Sequence, residues 1–345
     1  MIPMDTALMK SKLAQYGAET LSGIHAFIPE KEPRAYLYDL VEDYPNRGGK
    51  GFRPGLCIAS CKAFGGTAKA AKFSAVALEM LHNAFLIHDD VEDDSYYRRN
   101  KPTLHEANTR AIAINVGDML NALSLSPLWR NREVLGEKLA QRIFLEIQHL
   151  ITESAEGQAL ELGWRMDNRC DLQEADYLRM ILKKTCWYTC IHPIRIGALI
   201  GSKGSVNPDL FNRLGYFMGA AFQIQDDVLN LIGEESAYGK EIGGDILEGK
   251  RTLMLIHLYQ HCSKRQKEFL KAYLQIPILE RSPEEARQIL SWMHDYDSIT
   301  YTIETSKYLA GAALKEFYTQ FSQLSDSEDK AFLEHIILYM IHREY

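Results

Sequence analysis

The sequence predicts an all-α protein, and three observations predict it. Long segments carry apolar residues at three-and-four spacing. Alternating apolar runs bounded by turn residues are lacking. Prolines lie in the first 55 residues, near 102–127 and at 193, 208, 277 and 283. These positions read as loops or helix boundaries, because proline cannot donate a backbone hydrogen bond inside a helix.

The 345 residues can bury a large core. No composition shift, low-complexity tract, charge block or repeat divides them, so residues 1–345 are read as a single domain. The formal net charge is -7, from 39 basic and 46 acidic residues. That balance argues against nucleic acid or an anionic membrane as partner, and any anionic ligand must meet locally clustered cations. No stretch approaches the roughly 20 apolar residues of a bilayer span, and the N-terminus lacks a secretory pattern. No stable membrane insertion and a cytoplasmic location are expected. The six cysteines lack zinc-type spacing and read as small core residues.

From the N-terminus, the first chemistry-bearing segment is Gly48-Gly49-Lys50-Gly51-Phe52-Arg53-Pro54. It sets two cations three residues apart in a glycine turn, which suits a diphosphate or a simple loop. Next, residues 85–91 read Phe-Leu-Ile-His-Asp-Asp-Val, and residues 222–228 echo them as Phe-Gln-Ile-Gln-Asp-Asp-Val. In the first copy the acids continue as Glu92, Asp93 and Asp94. Such crowding repels unless cations answer it. In a helix, His82, Phe85, Asp89 and Asp93 fall on one stripe. Carboxylates one turn apart suit magnesium, which takes one or two of them together with substrate phosphates. Alone, the cluster reads as a solvated helix end, and His82 as a core histidine.

Arg98 and Arg99 follow, and arginine grips phosphate bidentately. Lys184-Thr185 lies in a helical stretch. Around the second acidic pair, Gly215, Gly219, Gln223, Asp226 and Asn230 form a similar stripe, whose glycines mark either close packing or room for a ligand. Lys240, Lys250 and Arg251 flank Gly243-Gly244.

The order of basic turn, acidic pair, double arginine, Lys-Thr, second acidic pair and basic loop resembles the trans-prenyl diphosphate synthase family, from about Gly48 to Leu258. Asp89-Asp90-Val91-Glu92-Asp93 is similar to its first aspartate-rich motif and Asp226-Asp227-Val228-Leu229-Asn230 to its second. Asn230 departs from the usual Asp, and its amide oxygen is expected to support a metal-bound water.

The resemblance implies a single helical bundle around a central cavity, usually a homodimer. It implies Mg2+ on Asp89, Asp93 and Asp226, three ions per site once diphosphate is bound. Lys50, Arg53, His82 and Arg99 would hold isopentenyl diphosphate. Arg98, Lys184, Thr185, Gln223, Lys240 and Lys250 would hold an allylic diphosphate, with Lys184 and Thr185 at the reacting end.

Two rivals stand beside this reading. A class I terpene cyclase would need neither the Lys50/Arg53 turn nor a second Asp-Asp pair, and a non-catalytic regulatory subunit would be expected to have lost one of the pairs. Phe85, one turn before Asp89, is a candidate floor for the growing chain. Ala84 beside it is small where short-chain relatives tend to be bulky, which favours a twenty-carbon product, geranylgeranyl diphosphate, over fifteen carbons or a longer chain. On this basis Phe85→Ala lengthens the product and Ala84→Phe shortens it.

Overall fold

The computed structural model describes residues 5–233 and 244–342, with side chains through Tyr339. Helix α1 (Thr6–His25) starts at Asp5, whose carboxylate accepts the Leu8 N–H at 2.9 Å. Helix α2 (Phe52–Ala63) follows the glycine turn, and α3 (Ala68–Glu92) is capped by Thr67. Three helices then run in succession, α4 (Arg110–Leu123), α5 (Leu125–Leu135) and α6 (Glu137–Met166). Next comes one unbroken rod: α7 (Glu174–Ile181), a π-helical stretch (Leu182–Ile191) and α8 (His192–Gly201). Helix α9 (Asn212–Ile232) carries the second acidic pair. Beyond it lie α10 (Gly244–Glu248), α11 (Leu253–His261), α12 (Lys264–Gln275), α13 (Pro283–Asp295), α14 (Ser298–Phe321) and α15 (Glu328–His342).

Pro193 is a correction to the expectation that prolines mark boundaries, since it sits inside the continuous rod. The junction of π and α turns is its reason. Proline fits the first turn of a new α segment, where its missing N–H is not required.

The only strands among the described residues are β1 (Tyr97–Arg98) and β2 (Lys101–Pro102), an antiparallel pair. Their turn residues Arg99 and Asn100 have φ of 54° and 60°, as a tight two-residue hairpin requires.

Buried apolar side chains gather in three clusters. One joins α2, the π stretch, α8, α9, α14 and α15; a second joins α1, α3 and α4. In the third, Val228 and Leu231 of α9 meet α11–α13. All six cysteines are free, and Cys57, Cys61, Cys186 and Cys190 are buried in the first cluster.

Two stretches, Ala68–Glu92 and Arg110–Leu135, are long and apolar enough to cross a membrane, each with mean hydropathy 1.2 over its best window. This corrects the sequence expectation that no stretch approaches that length. For α3 the reason is its place at the centre of the molecule, where a helix is apolar on most sides; 67% of its window is buried. The second stretch is 44% buried and keeps apolar side chains exposed along α4 and α5, Ile114, Leu125, Trp129 and Val134 among them.

Candidate active site

A cavity of about 870 Å3 opens between α2, α3, α6, the π stretch, α9 and α15. It gathers Lys50, Arg53, His82, Phe85, Asp89, Arg98, Arg99, Lys184, Thr185, Gln223, Asp226 and Lys250 on its walls. Residues spread over two hundred positions thus meet in one space. Lys240 lies outside the described residues.

At one end Arg53, Arg99 and His82 converge. Arg53 donates to Thr189 Oγ1 at 2.9 Å, and its guanidinium lies 4.4 Å from the centre of the Tyr188 ring. Arg99 donates to the Tyr44 carbonyl at 3.1 Å. His82 is buried with Nδ1 unpartnered. Burial first, then Arg53 and Arg99, holds its pKa well below the usual value. A histidine kept neutral among arginines suits an anionic ligand, whose arrival would favour its protonation. Lys50 is exposed beside the Tyr339 ring at 6.0 Å, and the pKa of Glu79 is raised by burial against the opposing pull of Arg53 and Arg99. The hairpin sends the two adjacent arginines apart. Arg98 turns to the buried Asp90, which also accepts the Tyr44 hydroxyl at 2.6 Å.

At the other end the acids are met by lysines. Lys184 Nζ lies 3.2 Å from Asp89 and also bonds Glu161 of α6. Burial works against the Lys184 charge, but Asp89 and Glu161 outweigh it and raise its pKa. Lys250 Nζ reaches Asp93 at 2.7 Å and Glu248 at 2.6 Å. Asp93 does not share the cavity wall with Asp89. Its side chain is fully buried against Arg165, 2.5 Å away. The expected stripe therefore holds through Asp89 and turns aside at Asp93, where α3 has ended.

The second motif is held by neutral donors. Thr185 Oγ1 donates to Gln223 Oε1 at 2.7 Å, Gln223 Nε2 to Asp227 at 2.8 Å, and the Tyr177 hydroxyl to Asp227 at 2.7 Å. Burial pushes Asp227 up to about 6. Gly215 and Gly219 are explained by packing: an added Cβ would lie 2.6 Å from Ile191 Cα and 2.7 Å from Cys186 Cα. Asn230 is a correction. It is buried, and its amide oxygen accepts the Asp245 N–H at 2.9 Å, so it serves the backbone and brings Asp245 to the cavity wall.

Ala84 is a second correction. It is fully buried in the cluster that α3 shares with α4, because one residue's step turns a helix by about 100° away from Phe85. Phe85 does face the cavity, edge-on to Tyr188 with ring centres 5.6 Å apart.

Sequence reasoning missed Gln158, Glu161 and Arg165 on α6, Tyr177, Asp245 and Tyr339. On α6 a signal existed: Ser154, Gln158, Glu161 and Arg165 repeat at four, three and four, a polar stripe on a helix that the first motif faces.

The family description Polyprenyl synthetase matches residues 34–293. The chain belongs to the polyprenyl synthetase family. It is 30% identical to the geranylgeranyl diphosphate synthase of Methanosarcina mazei, over 94% of each chain. It is 34% identical to a short chain isoprenyl diphosphate synthase of Methanothermobacter thermautotrophicus, over 66% of this chain and 68% of that one. The crystal structure of geranylgeranyl pyrophosphate synthetase from Pyrococcus horikoshii superposes with a TM-score of 0.84 at 29% identity, covering 98% and 99% of the two chains. The family's all-α architecture is the one seen here, and membership makes the chain a trans-prenyltransferase.

Proposed function

We propose that this chain condenses isopentenyl diphosphate with an allylic diphosphate and releases geranylgeranyl diphosphate. One observation carries the reading: a single cavity has two cationic ends, Lys50/Arg53/Arg99 with Glu79 beside them, and Lys184/Lys250, where the lysines are ion-paired to the first acidic motif. Two diphosphates have separate seats. A cyclase, which binds one, would leave the first without use.

The donor set fits Mg2+, which prefers carboxylate oxygens. Asp93 Oδ2 and Glu248 Oε2 are buried oxygens with no aligned hydrogen bond among the described residues, answered only by the Lys250 ammonium at 2.7 and 2.6 Å, so a ligand that drew Lys250 away would leave both to a cation. Asp89, Asp93 and Asp226 would hold the metal, three ions with diphosphate bound. Bound there, it would neutralise the allylic diphosphate as a leaving group.

Lys184, Lys250 and Arg98 share that charge, which grows as the carbon–oxygen bond breaks. Arg53, Arg99 and Lys50 hold the second diphosphate so that its carrier's double bond meets the allylic carbon at attack distance. The new carbon–carbon bond forms, and a proton passes to the departing diphosphate. Phe85, Tyr188 and Ile151 give the growing chain an apolar, water-excluding wall.

Helix α9, whose successive side chains pack into two of the clusters, supports one domain. A homodimer is supported by exposed Ile114, Trp129, Phe144 and Leu145 along α4–α6, an apolar face of the kind that marks an interface. A cytoplasmic location is part of the same reading.

The test is incubation of labelled isopentenyl diphosphate and Mg2+ with dimethylallyl, geranyl or farnesyl diphosphate, followed by separation of the alcohols by length. Twenty-carbon product is expected from each. Consumption of farnesyl diphosphate without isopentenyl diphosphate would point to a cyclase, and no turnover to a regulatory subunit. Lys50→Ala and Arg53→Ala should raise the KM for isopentenyl diphosphate about tenfold or more and leave the allylic KM within twofold; equal effects would dissolve the two-seat assignment.

A further inference from the structure

Arg165 lies outside the two acidic motifs and the basic segments that flank them, yet it makes the closest contact to Asp93. Its Nη1 lies 2.5 Å from Asp93 Oδ1, and its own side chain is 13% exposed. Lys250 covers the other oxygen at 2.7 Å. That second contact is an ion pair without hydrogen-bond alignment, since Oδ2 has no hydrogen-bond partner among the described residues. The two cations differ in where they stand. Lys250 is on the cavity wall, whereas neither Asp93 nor Arg165 is among the described residues lining it.

An incoming diphosphate can therefore draw Lys250 to itself, but Arg165 stays behind the acid and remains paired with it. The consequence is an order of events. Without diphosphate, a divalent cation approaching Asp93 meets two positive side chains and a carboxylate whose charge is already answered. With diphosphate, Lys250 is transferred to phosphate oxygens, Oδ2 is uncovered, and Arg165 fixes the carboxylate with that oxygen presented.

We propose that Arg165 is a positioning residue that restrains Asp93 in the ligand-free protein, so that divalent cation alone binds weakly and cation and diphosphate bind as a unit. The inference rests on the reading of Asp89 and Asp93 as metal ligands. Linkage makes the coupling reciprocal: diphosphate tightens cation binding by the factor through which cation tightens diphosphate.

The test uses the full chain, Mn2+ as the cation and inorganic pyrophosphate as the diphosphate, with bound Mn2+ read by electron paramagnetic resonance. In the wild type, pyrophosphate is expected to lower the Mn2+ Kd about a hundredfold, near the top of ordinary coupling. Arg165→Gln should tighten Mn2+ about tenfold without pyrophosphate, where it removes a competing charge, and leave the affinity with pyrophosphate near wild type, where the charge relieved is offset by the lost positioning of the carboxylate, so the coupling shrinks by the same factor. Arg165→Met, which keeps the packed aliphatic stem, should do the same, and Arg165→Lys should stay near wild type.

Equal Mn2+ affinity with and without pyrophosphate in the wild type overturns the proposal even if every variant misfolds. So does unchanged or weakened Mn2+ binding in both neutral variants. Asp93→Asn separates the two levels. If it leaves Mn2+ affinity with pyrophosphate unchanged, the ligand reading fails and takes the proposal with it. If it weakens that affinity while the Arg165 variants do nothing, only the restraint by Arg165 fails.

Discussion

Gly157 sets how near α6 comes to the π stretch. A Cβ there would lie 2.1 Å from Lys184 N, 2.5 Å from its Cα and 2.7 Å from the Lys183 carbonyl carbon. Ordinary contact begins at 3.4 Å, so Gly157→Ala needs a retreat of 3.4 − 2.1, about 1.3 Å. Backbone cannot yield as a side-chain tip does, and Lys184 must move. A displacement near 1 Å in a positioning group can cost about 100-fold in rate. The effect on stability is smaller, because overpacking costs about 1–3 kcal/mol while alanine gains roughly 1 kcal/mol in helix propensity. The expected outcome is a kcat drop of about 100-fold with a urea midpoint near wild type. Gly163→Ala on the same helix is the control, since nothing lies within 4 Å of its added Cβ; it should be neutral or slightly stabilising. A Gly157→Ala enzyme within threefold of wild-type kcat would refute the claim that close approach of α6 positions Lys184.

Product length should respond to Phe85→Ala with one further isoprene unit, because one helical turn opens about 5.4 Å beyond Tyr188. Ala84→Phe should instead destabilise by about 1–3 kcal/mol with the product unchanged, since that side chain would enter the α3–α4 cluster. Stability should fall below about pH 6.5, the ordinary histidine value. His82 and His192 are both lowered by burial, so the fold favours their neutral forms, and that contribution is lost as pH drops toward their folded pKa. Asp227, raised to about 6, offsets part of this. Urea midpoints from pH 7.5 to 5.5 would check the slope, and a flat profile would contradict it.

The helical class was legible because three-and-four spacing reports a buried face directly. The cavity walls were legible wherever a cation or acid stood in a motif with its neighbours, as Lys50/Arg53 and Asp89 do. What was not legible is set by three dimensions. Asp93 lies on the stripe by spacing, but the helix ends at Glu92, and Arg165, 72 residues away, decides where its carboxylate points. Ala84 and Phe85 are adjacent in sequence and face different clusters. Gly215 and Gly219 could mean packing or ligand space until the neighbouring rod was placed against them. Pro193 misled for the same reason: periodicity gives no warning of a π stretch.

Asn230 poses the question whether the second motif is weakened by lacking its third acid. The structure argues that an acid there would be a burden. The residue is 3% exposed, its oxygen is committed to the Asp245 N–H, and its Nδ2 lies 3.5 Å from where a Cβ on Gly244 would sit. In Asn230→Asp a carboxylate oxygen replaces that NH2 group beside Gly244, one residue from Asp245, which is itself buried. Desolvation and its acidic neighbour would raise the new group's pKa above the ordinary 3.9. A raised acid destabilises the fold where it must ionise. Asn230→Asp is therefore expected to lose about 1–3 kcal/mol at pH 7.5 and to approach wild type as pH falls toward 5. Mn2+ affinity with pyrophosphate should not improve, because the added oxygen takes the place of Nδ2 beside Gly244, and Asn230 is not among the described residues lining the cavity. A variant as stable as wild type at pH 7.5 that also binds Mn2+ more tightly would show that position 230 reaches the metal after all.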